Sequence, residues 1–74
     1  MSETIRKTVH YTVACVNEFA GRKRISPRSA FLYLYDHKGL HFLEEHYEIE
    51  HTLSFDDVLD DLEIVCRQNG GKLL

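Results

Sequence analysis

The sequence predicts an all-α protein: a small bundle of three main helices and one short helix, with an extended segment before the last helix. Apolar residues recur every three or four positions over most of the chain, which is the spacing of a helix face. Serine, proline and glycine occur where such helices would begin and end. Only one stretch alternates as a strand does, and a lone strand would have no partner for its backbone groups. We therefore expect one helical domain over residues 1–74.

The last helix has the clearest pattern, from Ser54 to Gly71. Ser54 is a good N-cap residue because its hydroxyl can accept a backbone N–H group that has no partner within the helix. Asp57, three residues later, completes a pair similar to a capping box. Gly70 or Gly71 can adopt the left-handed conformation that often follows a helix. The predicted apolar stripe comprises Phe55, Val58, Leu59, Leu62, Val65 and Cys66.

The first helix is predicted over residues 5–20, with Ser2 or Thr4 as its cap and Gly21 as its stop. Frequent β-branched residues favour a strand mildly, but helical spacing without an interior glycine or proline outweighs them. The next stretch, Gly21–Arg24, is expected to be a solvated basic turn. The apolar residues predicted to line one face of the helix are Ile5, Val9, Val13, Val16, Phe19 and Ala20.

The second helix is predicted to begin with Ser26 as N-cap and Pro27 as its first residue, because proline is favoured there. It runs to about His37, and Gly39 is expected to end it. Such a helix is either central to the core or exposes part of itself to a partner. Its apolar residues lie nearly all round it: Ala30, Phe31, Leu32, Tyr33, Leu34 and Tyr35.

A short third helix is predicted from Leu40 to about His46. From Tyr47 to Leu53 apolar and polar residues alternate, which is a strand signal. We interpret this stretch as an extended linker packed by its odd-numbered residues, or alternatively as a strand that pairs across a dimer.

The expected core is small, because a chain of this length buries only about 60 % of its unfolded surface. A small core and an apolar second helix favour self-association, and a twofold dimer would cover Leu32, Tyr33 or Tyr35. The residues expected at the centre of the core are Phe19, Phe31, Leu34, Leu59 and Leu62.

The outer face of the last helix is unusually acidic. Aspartate is a poor residue in the middle of a helix, by roughly half a kcal/mol relative to alanine, so Asp60 and Asp61 are not explained by helix propensity. Both are expected to point to solvent. The face is interpreted as a solvated surface, as a docking site for a basic partner, or as a carboxylate metal site. Its residues are Asp56, Asp57, Asp60, Asp61 and Glu63.

Composition excludes several classes of protein. Twelve acidic against nine basic residues give a net charge of −3, so no overall field attracts nucleic acid. No apolar run approaches the roughly 20 residues of a membrane span, and no signal peptide is evident.

Cys15 and Cys66 are far apart and lie on or beside apolar stripes, so we expect buried free thiols in a reducing cytosol. The predicted location is cytoplasmic.

No residues point to catalysis. Five histidines are present, and His46, Glu50 and His51 could approach one another, but a metal site needs three or four converging ligands. His37 and His41 are separated by Gly39. A thiol nucleophile needs an electropositive, partly exposed setting, which buried cysteines lack. We expect no enzyme activity, no cofactor and no metal.

The second and third helices also invite comparison with a helix-turn-helix, because the turn has the right size. The would-be recognition helix presents Glu44, Glu45 and Glu48 where phosphates would lie. That charge is of the wrong sign for DNA. DNA binding is therefore kept only as an alternative.

Three segments, VHYTVACVNEFAGRK, ISPRSAFLYLYDHKGLHFLEEHYEIEHT and SFDDVLDDLEIVCRQNGG, resemble a family of short, uncharacterised bacterial all-helical proteins classed as a domain of unknown function. The resemblance is strongest at Tyr47–Glu48 and His51–Thr52, followed by the acidic helix Phe55–Asp61. Genes for some members lie beside those of ADP-ribosyltransferase-like toxins. The resemblance implies a partner-binding or antitoxin-like role and supplies no catalytic residues.

The sequence and the resemblance together favour a non-enzymatic protein–protein interaction module, either antitoxin-like or an accessory subunit. The two alternatives are a helix-turn-helix-like DNA-binding regulator and a small metal-binding protein. The expected partner is a protein of unknown identity or a second copy of the chain. Nucleic acid and membrane are not expected as partners.

Overall fold

Five α-helices occur in residues 2–72, the part of the chain that the computed structural model describes. No strand occurs in this part, so the predicted all-α class is confirmed. Among the same residues, no helix has both the length and the apolar character to cross a membrane. In chain order the helices are α1 (Glu3–Lys23), α2 (Pro27–Asp36), α3 (Gly39–Glu45), α4 (Tyr47–Glu50) and α5 (Phe55–Gln68).

Serine caps the N-termini of α1, α2 and α5, as the sequence predicts. The side-chain oxygens of Ser2, Ser26 and Ser54 accept the backbone N–H groups three residues later, at 3.2, 3.0 and 3.2 Å respectively. Pro27 follows Ser26 at the start of α2. These bonds satisfy donors that have no partner inside their helices, so local sequence fixes where the three helices begin.

The end of α5 is also as predicted. Gly70 has a left-handed φ of 85°, and the N–H of Gly71 donates to the carbonyl of Cys66 at 2.8 Å. This is a Schellman motif, which favours glycine at the left-handed position. Along the helix, the predicted stripe is buried except at Val65, which is half-buried, and Phe55, which is exposed.

The end of α1 differs from the prediction, because the helix continues through Gly21 to Lys23. Arg24 takes the left-handed position that ends it, with φ 56°. The predicted basic turn over residues 21–24 is therefore wrong. The side chains of Arg22 and Lys23 contact carboxylates of α5, and these contacts stabilise the last turn of the helix.

Gly39 does not end α2 as predicted, because it is the first residue of α3. Lys38 takes the left-handed conformation between the two helices, with φ 65°. A Cβ atom on Gly39 would lie 2.8 Å from Cδ2 of Leu34 and 3.1 Å from Sγ of Cys66. The glycine is therefore needed for the close approach of α3 to α2 and α5.

Gly39→Ala is expected to destabilise the protein by about 1–3 kcal/mol, because the added methyl group overpacks the contact with Leu34 and Cys66. Gly21→Ala is the matched control, since a Cβ atom at this exposed helical position has no neighbour within 4 Å. That change should stabilise the helix by about 0.5–1 kcal/mol. Urea unfolding of both variants measures the difference, and equal stability of the two would contradict the packing role of Gly39.

Residues 47–53 are not extended, so both interpretations of this stretch, a linker and a strand across a dimer, are wrong. The helix α4 occupies its first four positions, and turns follow it. Tyr47 packs edge-on against Tyr11 of α1, with ring centroids 5.4 Å apart, and Glu50 is buried. In a helix, residues three positions apart lie on one side, so Tyr47 and Glu50 both point inward. Ile49, one of the odd-numbered residues that were predicted to pack, is exposed instead.

One hydrophobic core joins α1, α2, α3 and α5. Four of the five residues predicted at its centre are buried: Phe19, Leu34, Leu59 and Leu62. The prediction is wrong for Phe31, which is 46% exposed because α2 turns a different side to the core. The buried apolar residues are Cys15, Val16, Phe19, Ala20, Ala30, Leu34, Leu43, Val58, Leu59, Leu62 and Cys66.

Candidate functional site

The N-terminal half of α1 presents an apolar stripe to solvent. Ile5, Val9 and Val13 are 54%, 46% and 54% exposed, whereas the residues of α1 that enter the core lie between Cys15 and Ala20. The predicted apolar face of this helix is therefore buried only in its C-terminal part. With 21 residues, α1 is about 30 Å long, and α2, which packs on it, has only 10. The shorter helix cannot cover the whole length of α1.

The exposed stripe forms one wall of a groove, and α2 and α3 supply the other. Phe31 of α2 and Leu40 of α3 line it together with Ile5, Val9 and Val13. We call the surface formed by these five side chains the apolar groove. Sequence reasoning missed it because the three residues of the stripe were grouped into one apolar face with residues that enter the core.

Two threonine side chains of α1 lie in the apolar groove but add little polar character to it. Thr8 and Thr12 line it, and their hydroxyl groups donate to the carbonyl groups of Thr4 and Thr8, at 2.9 and 2.8 Å. Threonine in a helix commonly forms this bond to the preceding turn. The hydroxyl groups therefore need no hydrogen-bond partner from a molecule that covers the groove.

The groove continues to the corner between α2 and α3, past Tyr35, Lys38 and His41. Tyr35 is 66% exposed and stacks on Phe31, with ring centroids 6.3 Å apart. Glu44 lines both parts of the groove. Charges of both signs thus lie along a mainly apolar surface.

The three residues predicted for self-association do not share one surface. Leu32 and Tyr35 are exposed, but Tyr33 is half-buried. The ring of Tyr33 stacks on Phe19 at 5.8 Å and lies 4.8 Å from the ring of His37. Only Tyr35 therefore extends the apolar groove along α2, because Leu32 is exposed but lines neither part of it.

The acidic face of α5 is largely paired with the end of α1. Arg22 donates to the carboxylates of Asp60 at 2.7 Å and Glu63 at 3.0 Å, and to the backbone carbonyl of Asp56 at 3.2 Å. Lys23 forms a further ion pair with Glu63. Burial alone would raise the pKa of Glu63, but hydrogen bonds from Lys23 and Arg22 hold it below its usual value. Three of the five acids predicted to bind a partner therefore contact cations of their own chain.

The other two acids have different surroundings. Asp57 is exposed, and within residues 2–72 it forms no ion pair. Asp61, which was expected to point to solvent, is half-buried, and its carboxyl group forms a hydrogen bond with that of Glu50. Docking of a basic partner on this face stays a prediction.

The carboxyl group of Glu50 is buried beside α1 and α5. Glu50 is 5% exposed, and neither its Oε1 atom nor the hydroxyl of Tyr11 has a hydrogen-bond partner within residues 2–72. Loss of hydration raises the pKa of Glu50 to about 7, and the hydrogen bond and charge of Asp61 add to the shift. Sequence reasoning missed this buried acid because it placed Glu50 on the outer side of an extended segment.

The two cysteines are buried free thiols, as predicted. Burial raises the pKa of Cys15 and of Cys66 to about 11 each. Both are therefore protonated at neutral pH, and the thiolate that nucleophilic catalysis requires is scarce.

The histidines are dispersed over the surface. Nδ1 of His37 bonds to the backbone carbonyl of Asn69 at 3.1 Å, and His41 pairs with Glu45 at 3.0 Å. Among the described residues, no three histidine, cysteine, aspartate or glutamate side chains converge on a metal position. The metal-binding alternative thus has no ligand set in this part of the chain.

The helices α2 and α3 meet at Lys38, where the sequence invited comparison with a helix-turn-helix. The would-be recognition helix, α3, has only seven residues, and both Glu44 and Glu45 are exposed on it. Carboxylates on this helix would repel the phosphate backbone. The geometry adds no support to the DNA-binding alternative.

A family model described as "Protein of unknown function (DUF3791)" matches residues 10–69. The predicted resemblance to a family classed as a domain of unknown function is thereby confirmed. Val13, Phe31 and Leu40 of the apolar groove lie within the matched range, and Ile5 and Val9 precede it. No curated protein and no solved structure matches the chain.

Proposed function

Because the chain belongs to the DUF3791 family and carries a continuous apolar groove, we propose that it is a non-enzymatic protein–protein interaction module whose groove another protein surface covers. The groove is the observation that carries the proposal. With Tyr35 it exposes apolar area on the order of 500 Å², in the upper part of the range for a monomeric protein. Removing that area from water is favourable, so the surface favours association.

The acidic face of α5 is a second surface in this proposal. The face has five acids, and within residues 2–72 two cations contact them, so the described face keeps a net negative charge. The acids are Asp56, Asp57, Asp60, Asp61 and Glu63. A basic partner would associate with it faster at low salt than at high salt, because its attraction is screened by ions. Asp57 is the exposed acid that such a partner can bind without breaking an ion pair of the described chain.

A more specific version of the proposal is an antitoxin-like or accessory role in bacteria. It rests on the resemblance to a family in which some genes lie beside those of ADP-ribosyltransferase-like toxins. The toxin, in this form, would be the protein that binds the acidic face.

A photo-crosslinking amino acid placed separately at Val9, Asp57 and Ser29 of the full chain tests the proposal in cells of the native source. Val9 probes the apolar groove, Asp57 the acidic face, and Ser29 is an exposed control on another side of α2. We expect protein cross-links from Val9 and, with a basic protein, from Asp57, but not from Ser29. Mass spectrometry then identifies the partners.

The three positions also separate the two surfaces. A signal at Val9 no stronger than at Ser29 would contradict the groove as an interface. A signal at Val9 without one at Asp57 would restrict the interaction to the groove and remove the acidic face from the proposal.

A further inference from the structure

We propose that the occupant of the apolar groove is a second copy of this chain, packed about a twofold axis that passes close to Val9. This inference rests on the proposed function, since it names the partner that covers the same groove. A twofold axis brings the same patch of both copies together, so the patch must be complementary to itself in area, spacing and charge.

The exposed apolar area is close to what a stable dimer requires. An interface of standard size buries about 800 Å² on each partner. The apolar groove with Tyr35 supplies on the order of 500 Å² of that as apolar area, and a polar rim supplies the rest in ordinary interfaces. A chain of 74 residues has a small core, so it gains more than a large protein does from such a contact.

The spacing of the exposed stripe is symmetric about its middle residue. Ile5, Val9 and Val13 are four residues apart, so they follow one another along one side of α1. Two α1 helices that pack antiparallel about Val9 place Ile5 of each copy beside Val13 of the other. Phe31 and Leu40 of each copy then extend the apolar contact beside the helix pair.

The charges around the groove are of both signs. Lys38 and Glu44 line it, and Arg6 follows Ile5 on the exposed part of α1. A surface with charges of a single sign would repel its own copy, whereas a mixed surface can pair cation with anion across a twofold axis. The acidic face of α5, by contrast, is unsuited to contact itself.

Sedimentation equilibrium of the purified full chain, from low to high micromolar concentration, measures the association directly. We expect a reversible dimer. Val9→Lys places two like charges at the axis and should raise the dimer dissociation constant roughly 100-fold or more, because like charges in an interface cost several kcal/mol. Ile64→Lys is the matched control: Ile64 is 50% exposed and lies on α5, outside the groove. It should leave the dissociation constant unchanged, and circular dichroism checks that both variants are folded.

Val9→Cys tests the position of the axis. Both native cysteines are buried, so the new thiol is the exposed one. Two thiols close to a twofold axis should form a disulfide between copies under mild oxidation. Ile64→Cys, of similar exposure, should form far less at the same concentration.

A monomer mass for the wild type at high micromolar concentration would overturn the inference, as would a dimer that Val9→Lys leaves intact. Neither result by itself overturns the proposed function. If the chain is monomeric and Val9 still cross-links to a different protein in cells, the groove is an interface and its occupant is not a second copy. If Val9 cross-links to nothing, both proposals fail.

Discussion

Replacing Leu62 with alanine is expected to lower the free energy of unfolding by about 2–5 kcal/mol. Leu62 lies on the buried side of α5 and is 0% exposed. Truncation removes apolar contacts and leaves a cavity that closely packed neighbours fill only in part. Small domains have total stabilities of about 5–15 kcal/mol, so this loss is a large share of the whole.

Ile64→Ala on the same helix is the matched control, because Ile64 is half exposed. Its cost should stay below about 1 kcal/mol, since surface substitutions rarely change stability much. Urea unfolding at equal protein concentration compares the two variants. A free energy of unfolding of Leu62→Ala equal to that of the wild type would show that the inward face of α5 is assigned incorrectly.

The stability of the protein is expected to fall as pH rises from about 4.5 to about 7, through the buried carboxyl group of Glu50. Burial, and then the contact with Asp61, raises its pKa from 4.5 to about 7 in the folded protein. In this pH range the folded chain keeps a proton that the unfolded chain has released. Each added pH unit therefore favours the unfolded state, by about 2–4 kcal/mol over the whole interval.

This change of stability with pH has the opposite sign to that of an acid that cations hold in its ionised form. Glu63, beside Arg22 and Lys23, has a lowered pKa and therefore loses its stabilising effect only as pH falls below the usual range of a glutamate. The effect of Glu50 lies at higher pH and in the other direction. The two acids can thus be separated by the pH range in which stability changes.

Glu50→Gln is the informative variant, because its side chain has nearly the same shape, stays neutral and can still donate a hydrogen bond to Asp61. Its free energy of unfolding, measured by urea at several pH values, should lack the decline seen in the wild type between pH 4.5 and 7. If the wild type and Glu50→Gln lose stability in parallel over that interval, the buried carboxyl group is not the cause.

Local sequence predicts where the helices start better than where they end. Ser2, Ser26 and Ser54 cap helices as expected because capping needs only a side chain and a backbone group three residues apart. The end of α1 depends on a contact between Arg22 and Asp60, 38 residues apart. No local rule contains that information, so Gly21 was wrongly taken as a stop.

Tertiary packing also explains the errors at residues 47–53 and at the apolar groove. The alternation in the first case does not follow burial, because the helix α4 turns Tyr47 and Glu50 inward. In the second case periodicity shows correctly that Ile5, Val9 and Val13 share one side of α1. It does not show that α2 is too short to cover that side. A comparison of the predicted lengths of the two helices would have indicated that part of α1 stays uncovered.

The acidic face of α5 shows a similar limit of prediction from sequence. The sequence identifies five acids on one helix, and the structure places Arg22 and Lys23 against three of them. Those cations were predicted to lie in a solvated turn. Charge patterns within one segment therefore indicate a surface but not whether the same chain already neutralises it.

The position of α5 in the chain has a consequence for synthesis on the ribosome. Of the eleven apolar residues that are buried within residues 2–72, four belong to this helix: Val58, Leu59, Leu62 and Cys66. The three earlier helices of the core can contact one another as they emerge, because α1 packs on α2 and α2 on α3. Until α5 has also emerged, the sides of α1 and α3 that it covers stay open to water. The nascent chain is therefore most exposed to aggregation and to chaperones shortly before residue 68 leaves the exit tunnel.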